Sequence, residues 1–178
     1  MATSNQPTAA DRVWGVVRIS LGFTFLWAFL DKLIGLGRST CLSPETGATN
    51  YLCNDAWLAG GSPTSGFLDN ATSGPLAGLF QAMSGVPIVD WLFMLGLLGV
   101  GTALMLGIGM KVATVSGVAM MAMMYLSMLW PTTNPIIDEH VIYALVLVGL
   151  LLVNERQAFG LGARWSNTGL VQRFPILK

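Results

Sequence analysis

Two uncharged stretches determine the fold of this chain: residues 91–110 (WLFMLGLLGVGTALMLGIGM) and residues 112–130 (VATVSGVAMMAMMYLSMLW). A helix needs about 20 apolar residues to cross roughly 30 Å of hydrocarbon, and both stretches meet that requirement. Only a tight turn near residues 107–111, which contains Lys111, separates them. The sequence therefore predicts an antiparallel hairpin of two transmembrane helices.

The amino-acid composition also indicates a protein whose solvent is lipid. Charged residues are 10% of the 178-residue chain, whereas globular proteins carry about 25%. A soluble domain of this size needs more charge to cover its surface. The formal net charge is zero and no basic stripe is present to neutralise phosphates, which excludes nucleic acid as a partner. The predicted partner is the lipid bilayer.

Two further apolar segments complete the predicted fold class, which is all-α: a four-helix transmembrane bundle forming a single integral membrane domain over residues 1–178. Pro87 suits the first turn of the second helix. Pro131, followed by Asn134 and Pro135, ends the third helix before the fourth begins. The four spans are expected at about 13–37, 87–110, 111–130 and 136–153.

One long connection, residues 38–86, is expected to form an extracytoplasmic loop. After Ser73 and Pro75 it carries apolar residues at helical spacing, which predicts a short amphipathic helix lying against the membrane surface. These residues are Leu76, Leu79, Phe80 and Met83. Residues 154–178 are expected to form a short cytoplasmic tail.

The distribution of lysine and arginine predicts the orientation, because these residues concentrate on the cytoplasmic side of membrane proteins. With the N-terminus inside, only Lys32 and Arg38 fall toward the outside, and most acidic residues do the reverse. Both termini are therefore predicted to be cytoplasmic, with the long loop outside a prokaryotic cell membrane. The inner cations are Arg12, Arg18, Lys111, Arg156, Arg164, Arg173 and Lys178.

The long loop holds the only two cysteines of the chain, Cys41 and Cys53. A disulfide persists on the oxidising side of a membrane, and closing so short a loop contributes about 3 kcal/mol in the chain-entropy model. The alternative is a redox-active dithiol, which usually has a C-x-x-C spacing and a helix terminus that stabilises the thiolate. Neither feature is visible, so a structural disulfide is the favoured interpretation.

Charged residues within or beside the spans are the candidates for chemistry, because a charge in lipid is costly. Six such residues on three helices fall near the outer boundary. If they converge, they form an acidic, histidine-containing pocket that could move protons beside a quinone or bind a small polar substrate. The alternative is that they only anchor helix ends at the headgroups. The six residues are Asp31, Lys32, Asp90, Asp138, Glu139 and His140.

Arg18 lies in the inner half of the first span. It is expected to extend toward the cytoplasmic headgroups; alternatively it binds a buried acid, a substrate or a quinone head, and with Asp90 it is the candidate substrate-binding residue. His140 has no second histidine to help it bind a metal, so no metal site is expected.

Two stripes of residues are interpreted as packing surfaces. Small residues recur at four-residue intervals in the second span, as close helix contacts in membranes require. Methionines recur in the third span, where flexible packing is favoured over soft copper ligation. The small residues are Gly99, Ala103 and Gly107, and the methionines are Met120, Met124 and Met128.

Four segments occur in an order that is similar to one family of membrane proteins. They are residues 18–33 (RISLGFTFLWAFLDKL), 60–68 (GGSPTSGFL), 74–80 (GPLAGLF) and 134–144 (NPIIDEHVIYA). The first resembles the first helix of the DoxX/DoxD family, the two loop segments resemble its longer DoxD-like branch, and the last resembles the segment leading into its fourth helix. The similarity covers roughly residues 12–153.

This resemblance implies a four-helix membrane protein like the large subunit of thiosulfate:quinone oxidoreductase. It implies a quinone-linked subunit that oxidises thiosulfate or a related sulfur compound, passes the electrons to a diffusible membrane quinone, and associates with other respiratory or redox subunits. The motif positions mark five candidate catalytic residues: Asp31, Lys32, Asp138, Glu139 and His140. The alternative is a non-catalytic accessory subunit of a larger redox complex, which the lack of a cofactor motif favours.

Overall fold

The computed structural model describes residues 6–43, 45–132, 134, 136–154 and 158–178. This part of the chain contains helices and no β-strand, which confirms the all-α class. Pro135 and Arg156, which contributed to the predicted helix ends and orientation, lie outside the described residues.

The helices of the described chain differ greatly in length. Three of them, α1, α4 and α5 in the list below, are long and apolar enough to cross a membrane, whereas α6 is apolar but has only 14 residues. The helices are α1 (Ala9–Ile34), α2 (Ser65–Asn70), α3 (Ala77–Gln81), α4 (Pro87–Leu106), α5 (Met110–Ser127), α6 (Glu139–Leu152), α7 (Gly162–Ser166) and α8 (Gly169–Arg173).

Local capping moves three helix boundaries away from their predicted positions. α1 begins before residue 13 because Thr8 and Asp11 form a capping box, each side chain bonding the other's backbone N–H. It ends before residue 37 because Gly35 adopts a left-handed conformation with φ +70°. α6 begins after residue 136 because the Asp138 side chain accepts the N–H groups of the first turn.

Successive long helices pack in antiparallel pairs. Lys32 lies against Phe93 near the end of α1, whereas Arg18 contacts the last turn of α4. A Cβ on Gly96 of α4 would touch Met120 of α5, and the Thr114 hydroxyl of α5 donates to a carbonyl of α6. The loop between α1 and α4 therefore lies at one end of the helices, here called the loop end, and residues 158–178 lie at the opposite tail end.

Glycines bring α1 and α4 into close contact, but not at the predicted positions. A Cβ on Gly22 would lie 2.9 Å from the Cβ of Leu104, and a Cβ on Gly101 would lie 2.9 Å from the backbone N of Leu26. A Cβ on Gly99 would meet nothing within 4 Å. The described chain makes no helix contact at Gly99, because α4 buries the face that carries Gly101.

The long loop contains more helix than predicted. A short helix does occur after Pro75, where α3 buries Phe80 and leaves Leu79 exposed. Two further elements, α2 and a 3-10 turn at Trp57–Ala59, precede it. Cys41 and Cys53 form a disulfide, which confirms the favoured interpretation.

The described part of the tail packs against the turn between α4 and α5. Leu161 N donates to the carbonyl of Leu106 at 2.8 Å, and Lys111 N donates to the carbonyl of Lys178 at 3.2 Å. The Trp165 indole donates to the carbonyl of Leu177 at 2.6 Å. The tail is therefore a folded cap on the helix ends rather than a simple extension.

Replacing Gly101 by alanine tests the contact between α1 and α4. We expect Gly101→Ala to lower the free energy of unfolding by roughly 1–3 kcal/mol, because its methyl group meets the α1 backbone. The matched control Gly99→Ala adds the same methyl group to open space and should leave stability unchanged or raise it by up to about 1 kcal/mol. Thermal unfolding in detergent measures both, and equal effects would contradict this packing.

Candidate functional site

Arg18 is buried inside the protein, with 1% of its surface exposed. Its Nη1 donates to the carbonyls of Leu104 and Met105, and its Nη2 donates to the carbonyl of Ala158 at 3.2 Å. Its Nε has no hydrogen-bond partner among the described residues. The guanidinium therefore joins α1, the end of α4 and the tail, and the predicted extension toward the headgroups is wrong.

Asp31 holds the start of the long loop against α1. Its carboxylate is 1% exposed and accepts three hydrogen bonds, from Arg38 N at 3.0 Å, Ser39 N at 2.9 Å and the Ser39 hydroxyl at 2.7 Å. Three donors on one carboxylate satisfy a charge that lipid could not solvate. Asp31 therefore bonds the loop instead of facing an open pocket.

Lys32 contacts an aromatic ring and forms no ion pair with the adjacent Asp31. Its Nζ lies 5.9 Å from the ring centroid of Phe93, at the distance of a cation–π contact. No described carboxylate lies within the 4.0 Å that defines an ion pair with this Nζ. The ammonium group therefore has N–H donors that are not paired with any described acid.

Asp90 fixes the middle of the long loop to the first turn of α4. Its Oδ1 accepts from the Ser62 hydroxyl at 2.8 Å, the Thr64 hydroxyl at 2.6 Å and Thr64 N at 3.3 Å. No sequence pattern predicted these partners, which precede Asp90 by 26 and 28 residues. The hydroxyls in the segment GGSPTS are the only signal that could have indicated them.

Asp138 and His140 form a buried pair at the start of α6. The Oδ2 of Asp138 lies 2.7 Å from Nδ1 of His140, and its Oδ1 accepts from the backbone N–H groups of His140 and Val141. Hydrogen bonds from two backbone N–H groups favour the ionised form of this carboxylate. Asp138 is thus an acceptor toward the ring, which places the proton of the neutral imidazole on Nδ1.

The six residues predicted near the outer boundary share one end of the structure, whereas Arg18 lies at the tail end. Only two of the six bond to each other. The ends of α1, α4 and α6 that carry the six residues all lie at the loop end. Among the described residues, hydrogen bonds and ion pairs join Asp138 to His140, whereas Asp31 and Asp90 bond to the loop. Glu139 is exposed and lies outside these bonds. The Asp138–His140 pair is the candidate functional site.

Comparison with known proteins finds no match to a protein-family model, to a curated protein or to a solved structure.

Removing the Arg18 side chain should destabilise the protein, because two buried carbonyls and one partly buried carbonyl lose their donor. We expect Arg18→Met to lower the free energy of unfolding by roughly 2–4 kcal/mol. Arg12→Met is the matched control, since Arg12 is exposed on the same helix and should tolerate the change. Thermal unfolding in detergent distinguishes the two; an unchanged midpoint for Arg18→Met would show that the buried guanidinium contributes nothing to stability.

Proposed function

We propose that this chain is a four-helix membrane subunit of a quinone-linked oxidoreductase, with both termini cytoplasmic and the long loop outside. The resemblance to DoxX/DoxD proteins supports the assignment, and the buried Asp138–His140 pair is the observation that carries it. The three candidate membrane spans support the membrane location. Exposed Ile136 and Ile137 extend the apolar surface of α6 toward the length of a fourth span.

The Asp138–His140 pair has the parts of a proton relay. Asp138 fixes Nδ1 of the imidazole, so the ring exchanges protons at Nε2. When Nε2 takes up a proton, the new positive charge lies beside a carboxylate that two backbone N–H groups keep ionised. This arrangement can take a proton from one group and return it to another without moving the backbone.

The donors at the loop end suit the oxygen atoms of a quinone. A bound quinone would supply the acceptor for two electrons and two protons. His140 presents an N–H at Nε2 once that atom has taken up a proton, and Lys32 has an ammonium group that makes no ion pair with a described acid. These are the two side chains that we propose to orient such a ligand.

The electrons would come from thiosulfate or a related reduced sulfur compound outside the membrane. Two thiosulfate ions joined by a new sulfur–sulfur bond release two electrons and no protons. The two protons needed to form the quinol must therefore come from water or from side chains. We assign the delivery of these protons to the Asp138–His140 pair.

Quinone reduction in reconstituted vesicles tests this proposal. We expect wild-type protein to reduce quinone with thiosulfate, and His140→Ala or Asp138→Asn to slow the reaction by about 100-fold or more, the usual effect of losing an acid–base group. Asparagine caps helices as well as aspartate does, so Asp138→Asn should keep the start of α6 intact. Asp69→Asn, an exposed change on α2, is the control.

Histidine NMR provides an independent readout, because His140 is the only histidine in the chain. The neutral ring should carry its proton on Nδ1 in the wild type, and Asp138→Asn should shift the population toward Nε2–H. Wild-type rates in both relay variants would eliminate the proposed proton relay.

A non-catalytic accessory subunit is the second candidate. It is favoured by the engagement of Asp31 and Asp90 in bonds that hold the loop. Purification in mild detergent should then bring down stoichiometric oxidoreductase subunits. The isolated chain should reduce no quinone, and Asp138→Asn should leave the rate of the whole complex unchanged.

A further inference from the structure

A cavity of about 200 Å³ lies at the loop end, between α4, α5 and the loop helices α2 and α3. Its wall is almost entirely apolar. Three phenylalanine rings, four thioethers (that of Met83 among them) and aliphatic groups surround the space. The rings belong to Phe67, Phe80 and Phe93, and the thioethers that face them from α5 belong to Met120, Met123 and Met124.

The cavity offers no hydroxyl proton to a ligand. Two lining residues, Thr64 and Ser127, carry hydroxyl groups. Thr64 donates its proton to Asp90 at 2.6 Å, and Ser127 donates its proton to the carbonyl of Met124 at 2.7 Å. A ligand that needs a donor, such as a carbonyl group, would lose its hydration here without compensation. The chemistry of the wall therefore selects hydrocarbon.

The cavity opens sideways, between two candidate membrane spans. Leu92 of α4 is 63% exposed and Met123 of α5 is 50% exposed, and both line the cavity. Phe80 and Leu68 close it from the loop side, where they are buried. An occupant therefore enters from the surroundings of α4 and α5, which in a membrane are the acyl chains of the leaflet next to the loop.

We propose that this cavity binds the acyl chain of a phospholipid from the leaflet on the loop side. An engineered apolar cavity of about 150 Å³ is large enough to bind benzene, so the present space accommodates a section of chain. Flexible methionine side chains adapt to such an irregular occupant. The chain would contact α2 and α3 on one side and α4 and α5 on the other, and so hold the loop helices in place. This inference is independent of the proposed redox function.

A phospholipid with a photoactivatable diazirine on its acyl chain tests the proposal in reconstituted bilayers. We expect adducts on Phe80, which is buried and lines the cavity, and on Phe67, which lines the cavity beside it. Met123→Trp narrows the opening and should lower these adducts several-fold. Val115→Trp is the matched control, because Val115 is exposed on the same helix and does not line the cavity.

A second pair of variants provides the same test in case Met123→Trp does not fold. Leu92→Trp narrows the cavity from α4, and Leu95→Trp is its control, exposed on the same helix outside the lining. The proposal is overturned if Phe67 and Phe80 carry no adducts, or if adducts persist in both narrowing variants while those variants unfold at the wild-type temperature. Displacement of the probe by an equimolar isoprenoid quinone would assign the cavity to a quinone tail and overturn the acyl-chain assignment.

Discussion

The positive charge of Arg18 must be accommodated inside the protein, and the packing at the tail end follows from how this is done. A helix ends with four carbonyls that have no partner of their own within it. At the end of α4, Arg18 donates hydrogen bonds to the carbonyls of Leu104 and Met105. The N–H groups of the following turn donate to the carbonyl of Ala103, and Leu161 N donates to that of Leu106. The cation also lies at the end of a helix where the dipole favours positive charge.

Close approach of the backbones makes this arrangement possible. Gly22 and Gly101 let α1 and α4 touch, and Gly15 leaves room for the carbonyl of Ala158, whose oxygen would lie 2.9 Å from an added Cβ. Arg18 therefore reaches the tail as well as α4. One side chain couples three segments that are far apart in the sequence, which is why the tail folds onto the helices.

Acidic residues join separate segments at the loop end, as Arg18 does at the tail end. Asp31 and Asp90 each accept three hydrogen bonds from the loop, and Ser73 N bonds to the carbonyl of Ser127 at the end of α5. The loop is thus attached to three helices and covers the apolar cavity. Of the acids predicted as site residues, Asp138 is the one that bonds to a histidine, so it carries the proposed chemistry.

Hydropathy predicted the long helices because span length depends on composition alone. The disulfide was predictable because the chain has no other cysteines. The partners of Arg18 and Asp90 were not, since backbone carbonyls and hydroxyls distant in sequence leave no local pattern. The face of α4 that contacts α1 was not predictable for a related reason: four-residue spacing identifies a stripe through Gly99 but does not show which stripe faces α1. α2 and α3 are so short that hydrophobic periodicity predicted only α3.

Reactivity of introduced cysteines tests most directly whether lipid is the solvent of these helices. Leu95 and Val115 are exposed on α4 and α5, as is Asp69 on α2, and the native cysteines are held in a disulfide. In membranes opened to a polar maleimide on both sides, Asp69→Cys should react, whereas Leu95→Cys and Val115→Cys should not, because lipid covers them. Equal reaction at all three positions would contradict the membrane assignment.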